Sequence, residues 1–191
     1  MNPLSDYEQK LIEITQNRVH NYQLTHEAWF DYVLFTPMWW LLIAITIFPW
    51  IVWYYLKPKL EYARLLYGTF FVIVIASIMD YIGIATGAWY YRYPLAPFTP
   101  ECIPWDITVV PVSLLFFLQV KKGVHPFLKA VIWGGGAAFI GEPFLEWIAF
   151  YQPLKWNSFY SFFIYVALYM TAHFFAFKNS GFEKCEVHPQ R

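Results

Sequence analysis

Residues 139–147 read "FIGEPFLEW" and set two carboxylates, Glu142 and Glu146, four positions apart inside an apolar stretch. Residues i and i+4 are neighbours on one face of a helix, so the two acids are expected to point the same way. Pro143 lies between them and removes the bond that would reach back to the carbonyl of Phe139. Upstream, "GGG" at 134–136 and Gly141 leave the segment thin, which allows a neighbouring helix or a ligand to come close. Acids in such a place can protonate a ligand, relay protons, or hold a cation.

Two more acids sit in comparable surroundings: Asp80 in "IASIMDYIGIAT" and Asp106 in "IPWDITVVPV". A central Asp in a span costs about 2.5–3.5 kcal/mol on insertion scales, so four lipid-facing acids are not expected. They should instead hold protons, share a cation or line a wet cavity. Asp106 also suits a simpler role, because a negative charge near a helix start complements the dipole. Trp89, Trp105, Trp147 and Tyr151 can cage a cation, and they equally fit an interfacial belt. The ligand-binding candidates are therefore Asp80, Asp106, Glu142, Glu146, Trp89, Trp105, Trp147 and Tyr151, with Glu142 the candidate catalytic acid.

The elements that must position these residues are membrane helices. Of 191 residues, 59% are hydrophobic and 14% charged, well below the ~25% charge of a soluble domain. The charge shortfall is concentrated in five apolar runs near the ~20 residues a bilayer requires: about 36–56, 65–86, 103–120, 130–150 and 159–177. The expected fold is an all-α membrane protein, with an amphipathic interfacial helix over 1–29, a five-helix domain over 30–178 and a cytoplasmic tail over 179–191. Leu4, Tyr7, Leu11 and Ile14 give the amino-terminal helix its apolar face, and Ser5 with Glu8 resembles a capping box. This helix reads as lying on the membrane interface, with docking to a partner as the other reading. The first 28 residues are polar, so a cleavable signal peptide is not expected and the first apolar run serves as an uncleaved anchor.

Loop charge sets the expected orientation. Lys57, Lys59 and Arg64 lie in one loop and Lys121, Lys122 and Lys129 in another, whereas the alternate loops carry only Arg92 and Lys155. The positive-inside rule then puts the amino terminus outside and the carboxyl terminus in the cytoplasm. With 1.5 Å of rise per residue, Asp80, Asp106, Glu142 and Glu146 fall about 9, 5, 12 and 6 Å below the outer ends of their spans. The acids from three helices thus share the outer leaflet. Trp39, Trp40, Trp53, Trp89, Tyr90, Tyr91, Trp156 and Tyr160 crowd the span ends as belts do. "MDYIGIATGAWYY" and "GEPFLEWIAFYQ" form a weak internal echo, each running from an acid to an aromatic cluster. Duplication and shared aromatic belts would both produce it.

Several function classes drop out. Zero net charge and no basic stripe argue against nucleic-acid binding. Two cysteines, Cys102 and Cys185, fall on opposite sides and form no disulfide framework, and the five scattered histidines give no metal-ligand spacing. No cofactor is implied: the chain carries no phosphate loop, dinucleotide motif or nucleophilic triad.

"FPWIVWYYL", "LLYGTFF", "MDYIGIATGAW", "IPWDITVVPV", "FIGEPFLEW" and "NSFYSFFIYVALYM" cover most of residues 48–170. Together they resemble an uncharacterised family of small five-span membrane proteins of spore-forming bacilli and clostridia. That resemblance implies a bacterial cell-membrane location and no activity. The loop "RYPLAPF" departs from the "YPYKLLP"-like stretch of that family. Asp80, "GAWYY", "IPWD" and "LLFFLQ" also show a fainter likeness to the membrane-bound lycopene cyclase domain, whose members would use a carboxylic acid to protonate an isoprenoid double bond. Only Asp106 follows Pro104 where that domain's pattern has paired acids, so the likeness implies shared architecture alone.

Three readings stay open. The first is a lipid, isoprenoid or cationic-ligand site in an outer-leaflet cavity, as an enzyme or a carrier, with membrane lipids as partners. The second is a proton- or cation-coupled transporter or channel subunit. The third is a membrane scaffold, in which a homo-oligomer or another membrane protein is the partner.

Overall fold

A computed structural model describes residues 3–98, 102–120 and 123–178, with the side chains of Pro3 and Leu4 left out. Lys121, Lys122, Pro100, Cys185, His188 and the expected tail over 179–191 lie outside the described residues. The chain runs α1 (Pro3–Tyr32), α2 (Pro37–Leu56), α3 (Tyr62–Ala85), β1 (Trp89–Tyr91), α4 (Val110–Gln119), α5 (Pro126–Gly136), α6 (Glu142–Trp147), β2 (Tyr151–Pro153) and α7 (Ser158–Phe177). Two π-helical segments complete it: Pro104–Val109 leads directly into α4, and Ala137–Gly141 joins α5 to α6.

Three helices, α2, α3 and α7, are long and apolar enough to cross a membrane. Pro104–Gln119 is a shorter apolar helix, and the segment from Pro126 to Trp147 is divided by its π turn. The fourth apolar run was expected to continue to about 150, but the helix stops at Trp147.

Helix starts follow local chemistry. The Thr36 and Asn157 side chains accept the amides of Trp39 and Phe159, and His125 Nδ1 accepts that of Phe127. These caps satisfy amides that lack an intrahelical partner. Helix α1 begins at Pro3, so Ser5 lies within the first turn and not at the cap position expected for it. Its Tyr7, Leu11 and Ile14 are exposed, and it meets the rest of the fold at its end, where Trp29 and Val33 are buried. There Trp29 Nε1 donates to the Pro94 carbonyl.

The bundle is organised around α7. Its buried stripe, Ser161, Tyr165, Leu168, Tyr169, Ala172 and Ala176, repeats at helical spacing and packs on both α3 and α5. Small residues bring backbones together, as in other membrane helix pairs. A Cβ on Gly68 of α3 would overlap the Ala172 carbonyl, and one on Gly134 of α5 would lie 3.1 Å from Val166. Of the triple glycine, only Gly134 has this role, because Gly136 faces open space and Gly135 has ordinary contacts.

Both π segments end two residues before a proline, Pro111 or Pro143. A proline cannot bond to the carbonyl four residues back, and a wider turn changes which amide reaches which carbonyl. Val110 N–H reaches Trp105 O, and Glu142 N–H reaches Ala137 O. The Ile107 carbonyl, which Pro111 cannot serve, receives Trp50 Nε1 at 3.1 Å from α2. A side chain of a neighbouring helix thus supplies the bond that Pro111 leaves unmade.

The two echoing segments meet in space. Strands β1 and β2 pair antiparallel, with Trp89 opposite Pro153, Tyr90 opposite Gln152 and Tyr91 opposite Tyr151. Of the expected aromatic belt, Trp40, Tyr90 and Tyr160 are exposed, whereas Trp53 is buried in the core. Trp39 donates to the Leu95 carbonyl, and Trp89, Tyr91 and Trp156 turn toward the site described below.

Candidate functional site

Asp80 sits on α3, one turn before the helix ends, and is 5% exposed. Its Oδ1 accepts Trp89 Nε1 and the Tyr91 hydroxyl, each at 2.8 Å, and its Oδ2 accepts the Cys102 amide at 3.0 Å. Three donors from the strand and from the start of the next helix therefore close on one carboxylate. Gly83 makes this possible, since a Cβ there would overlap the Trp89 ring. Asp80 is an anchor that fixes β1 and the segment at Cys102 to α3. Burial raises the Tyr91 phenol well above its ordinary range, helped by the charge of Asp80. Burial, reinforced by the charge of Asp106, also pushes the Cys102 thiol up.

Glu142 differs from this. It follows the second π segment and is 7% exposed. Its Oε1 accepts the Tyr165 hydroxyl at 3.1 Å, and that hydroxyl accepts Trp105 Nε1 at 3.2 Å. Ser158 and Ser161 place hydroxyls near the carboxylate, while Ser161 Oγ already accepts Trp156 Nε1 at 2.8 Å. Glu142 Oε2 has no hydrogen-bond partner. Asp106, in the first π segment, is 4% exposed.

Asp80, Asp106 and Glu142 all line one cavity of about 80 Å³, so acids from three helical segments converge. Trp89, Trp105 and Tyr151 line it as well. Among the described residues, no lysine, arginine or histidine lines the cavity, and both Arg92 and Lys155 are exposed. Glu146 and Trp147 stand apart: Glu146 is exposed, and Trp147 is 79% exposed. A shared helix face is not enough for burial, which also needs cover from another helix. Glu142 has that cover from Tyr165 of α7, and Glu146, one turn on, stays exposed.

Tyr165, Ser161 and Trp156 also line the cavity and were not among the expected site residues. The signal for the first two was a hydroxyl pair at i and i+4 in the otherwise apolar α7, lying on the stripe that also carries Ala172 and Ala176. Among the described residues, no three His, Cys, Asp or Glu side chains are grouped to hold a metal ion.

A second, apolar cavity of about 350 Å³ adjoins the first. Leu41 and Ile45 of α2 form one wall, Val109 belongs to the first π segment, and Phe144 and Ile148 form the opposite wall. Trp105 and Leu145 line both cavities, so two side chains form the partition. Trp105 rests against Gly141, where a Cβ would come within 3.3 Å of the indole. The two π segments thus meet at the partition. Comparison of the chain with family models, curated proteins and solved structures found no match.

Proposed function

We propose that this is a membrane protein that binds a lipid-derived, isoprenoid or cationic ligand at the Asp80–Asp106–Glu142 cavity, with Glu142 as the group that engages it. One observation carries this reading: Glu142 is buried, faces the cavity and keeps one oxygen unpartnered, at the edge of an apolar groove. Asp80 has both oxygens engaged and serves as scaffold. A protonated Glu142 would be a general acid, and an ionised one a counter-charge. Trp105 and Trp89 would add cation–π attraction.

The accompanying topology is five crossings of a bacterial cell membrane, the number of spans in the family the sequence resembles, with the amino terminus outside. Three apolar helices support the membrane assignment, and loop charge supports the orientation.

A second reading, proton or cation coupling, draws support from the three cavity acids and from the lack of a basic residue among the described lining side chains. The test is mass spectrometry of lipids retained by the purified protein, paired with proton and cation flux in vesicles. Retained lipid that is lost in Glu142→Gln, with no flux, supports the ligand site. Flux abolished in the same variant supports coupling. A variant that matches wild type in both overturns the site.

A further inference from the structure

The ligand reading leaves its chemistry open, and the two adjoining cavities narrow it. We propose that the site takes a single-chain amphiphile with a cationic amine head: the ammonium in the acidic cavity, the chain in the apolar groove. This inference rests on the ligand reading above and specifies its substrate class.

Charge comes first. Three carboxylates line the head cavity, and among the described residues no lysine, arginine or histidine shares that lining. Glu142 Oε2 offers an unused acceptor there. An ammonium brings both the missing charge and the missing donors, whereas a carboxylate or phosphate head would be repelled. Aromatic faces from Trp89, Trp105 and Tyr151 add to the preference for a cation.

Size comes second. At about 80 Å³ the head cavity is well below the ~300 Å³ at which ordinary ligand pockets begin. It has room for an amine and its first methylenes, not for a glycerophosphate or a sugar. Three acids that do not group as metal ligands also favour an organic cation over a bare metal ion.

The groove supplies the rest. Its volume of about 350 Å³ is lined by apolar side chains, and Leu41 and Phe144 are half-exposed at its edge. In a bilayer that edge faces acyl chains, so a chain can slide in laterally from lipid. The chain then meets Trp105 and Leu145, the partition shared with the acidic cavity. Trp105 packs between the two apolar clusters and makes one side-chain hydrogen bond, to Tyr165, so a chain passing from groove to head cavity must displace this indole.

The test uses full-length protein in phosphatidylcholine nanodiscs and a dodecylamine probe carrying a terminal diazirine. Photo-crosslinks mapped by mass spectrometry should fall on groove residues such as Leu41, Phe144 and Ile148. Unlabelled dodecylamine should compete at least tenfold better than dodecanol or dodecanoate. Glu142→Gln should remove that preference, and Leu41→Trp, at the groove edge, should remove the crosslinks with little effect on folding. Equal competition by the three chains, or crosslinks unaffected by both substitutions, would mean an annular lipid tail only and overturn the inference. If Glu142→Gln still loses retained lipid in that case, the ligand site stands and only the amine assignment falls.

Discussion

Asp80 and Glu142 occupy matching positions in two copies of one local design. Each lies seven residues before a residue of left-handed conformation, Gly87 at φ 68° or Ala149 at φ 56°. In each, the next amide reaches back five residues, Ala88 N–H to Gly83 O at 2.8 Å and Phe150 N–H to Leu145 O at 2.9 Å. This is a Schellman ending, and in both cases a short strand follows. The strand pairing is symmetric under exchange of the two copies, with Tyr90 and Gln152 at the centre.

The two endings differ in cost. Glycine adopts the left-handed region freely, and alanine pays about 1 kcal/mol. Ala149→Gly should therefore stabilise the protein by about 0.5–1 kcal/mol, and Gly87→Ala should destabilise it by a similar amount. Thermal aggregation of the detergent-solubilised protein checks both signs.

Asp80 and Glu142 should respond differently to loss of charge. Asp80→Asn turns an amide donor toward the Cys102 N–H and breaks an arrangement of three hydrogen bonds. It should cost about 1–3 kcal/mol of stability. Glu142→Gln should keep the Tyr165 bond and leave stability nearly unchanged, while ligand retention falls. Melting curves beside lipid mass spectrometry separate the two.

Gly83 and Gly68 should tolerate no side chain. Gly83→Ala drives Trp89 off Asp80, and Gly68→Ala pushes α3 from the α7 backbone. Each should lose about 1–3 kcal/mol by overpacking. Trp89→Phe combined with Gly83→Ala should recover part of the first loss, because the smaller ring leaves room; a double variant no better than Gly83→Ala would contradict the contact.

Cys102 is buried and its thiol is raised, so alkylation by iodoacetamide should be slow in the folded protein and fast in SDS. The pH dependence follows from the same raised values at Cys102 and Tyr91. Both groups stay neutral in the folded state when the unfolded chain has begun to ionise at about 8.5 and 10. Their contribution is complete below pH ~8.5 and is lost as pH rises, so melting temperature should fall through the alkaline range. Cys102→Ser should flatten the first part of that fall.

Helix positions were legible in the sequence because they depend on local properties. Apolar runs, capping residues and prolines act within a few residues, and the runs at 36–56, 103–120 and 159–177 match the observed helices within a residue. The π turns were not legible as such. Pro111 and Pro143 signalled a disturbance, yet whether a span kinks or widens depends on the neighbours that serve the freed carbonyls, as Trp50 serves Ile107.

The acids show the same division most clearly. Composition and topology alone marked Asp80, Asp106, Glu142 and Glu146 as costly residues near one membrane depth, since desolvation follows from residue type and position along a span. Their separate roles needed distances across elements that the chain order does not supply. Asp80 is saturated because β1 and the start of the next helix fold back onto α3. Glu146 stays exposed for want of cover, and Glu142 keeps one oxygen unpartnered because Tyr165 of α7 reaches only the other. Hydrogen bonding between distant segments is a property of the packed molecule, so identical chemical groups become a saturated anchor in one place and a carboxylate with an open oxygen in another.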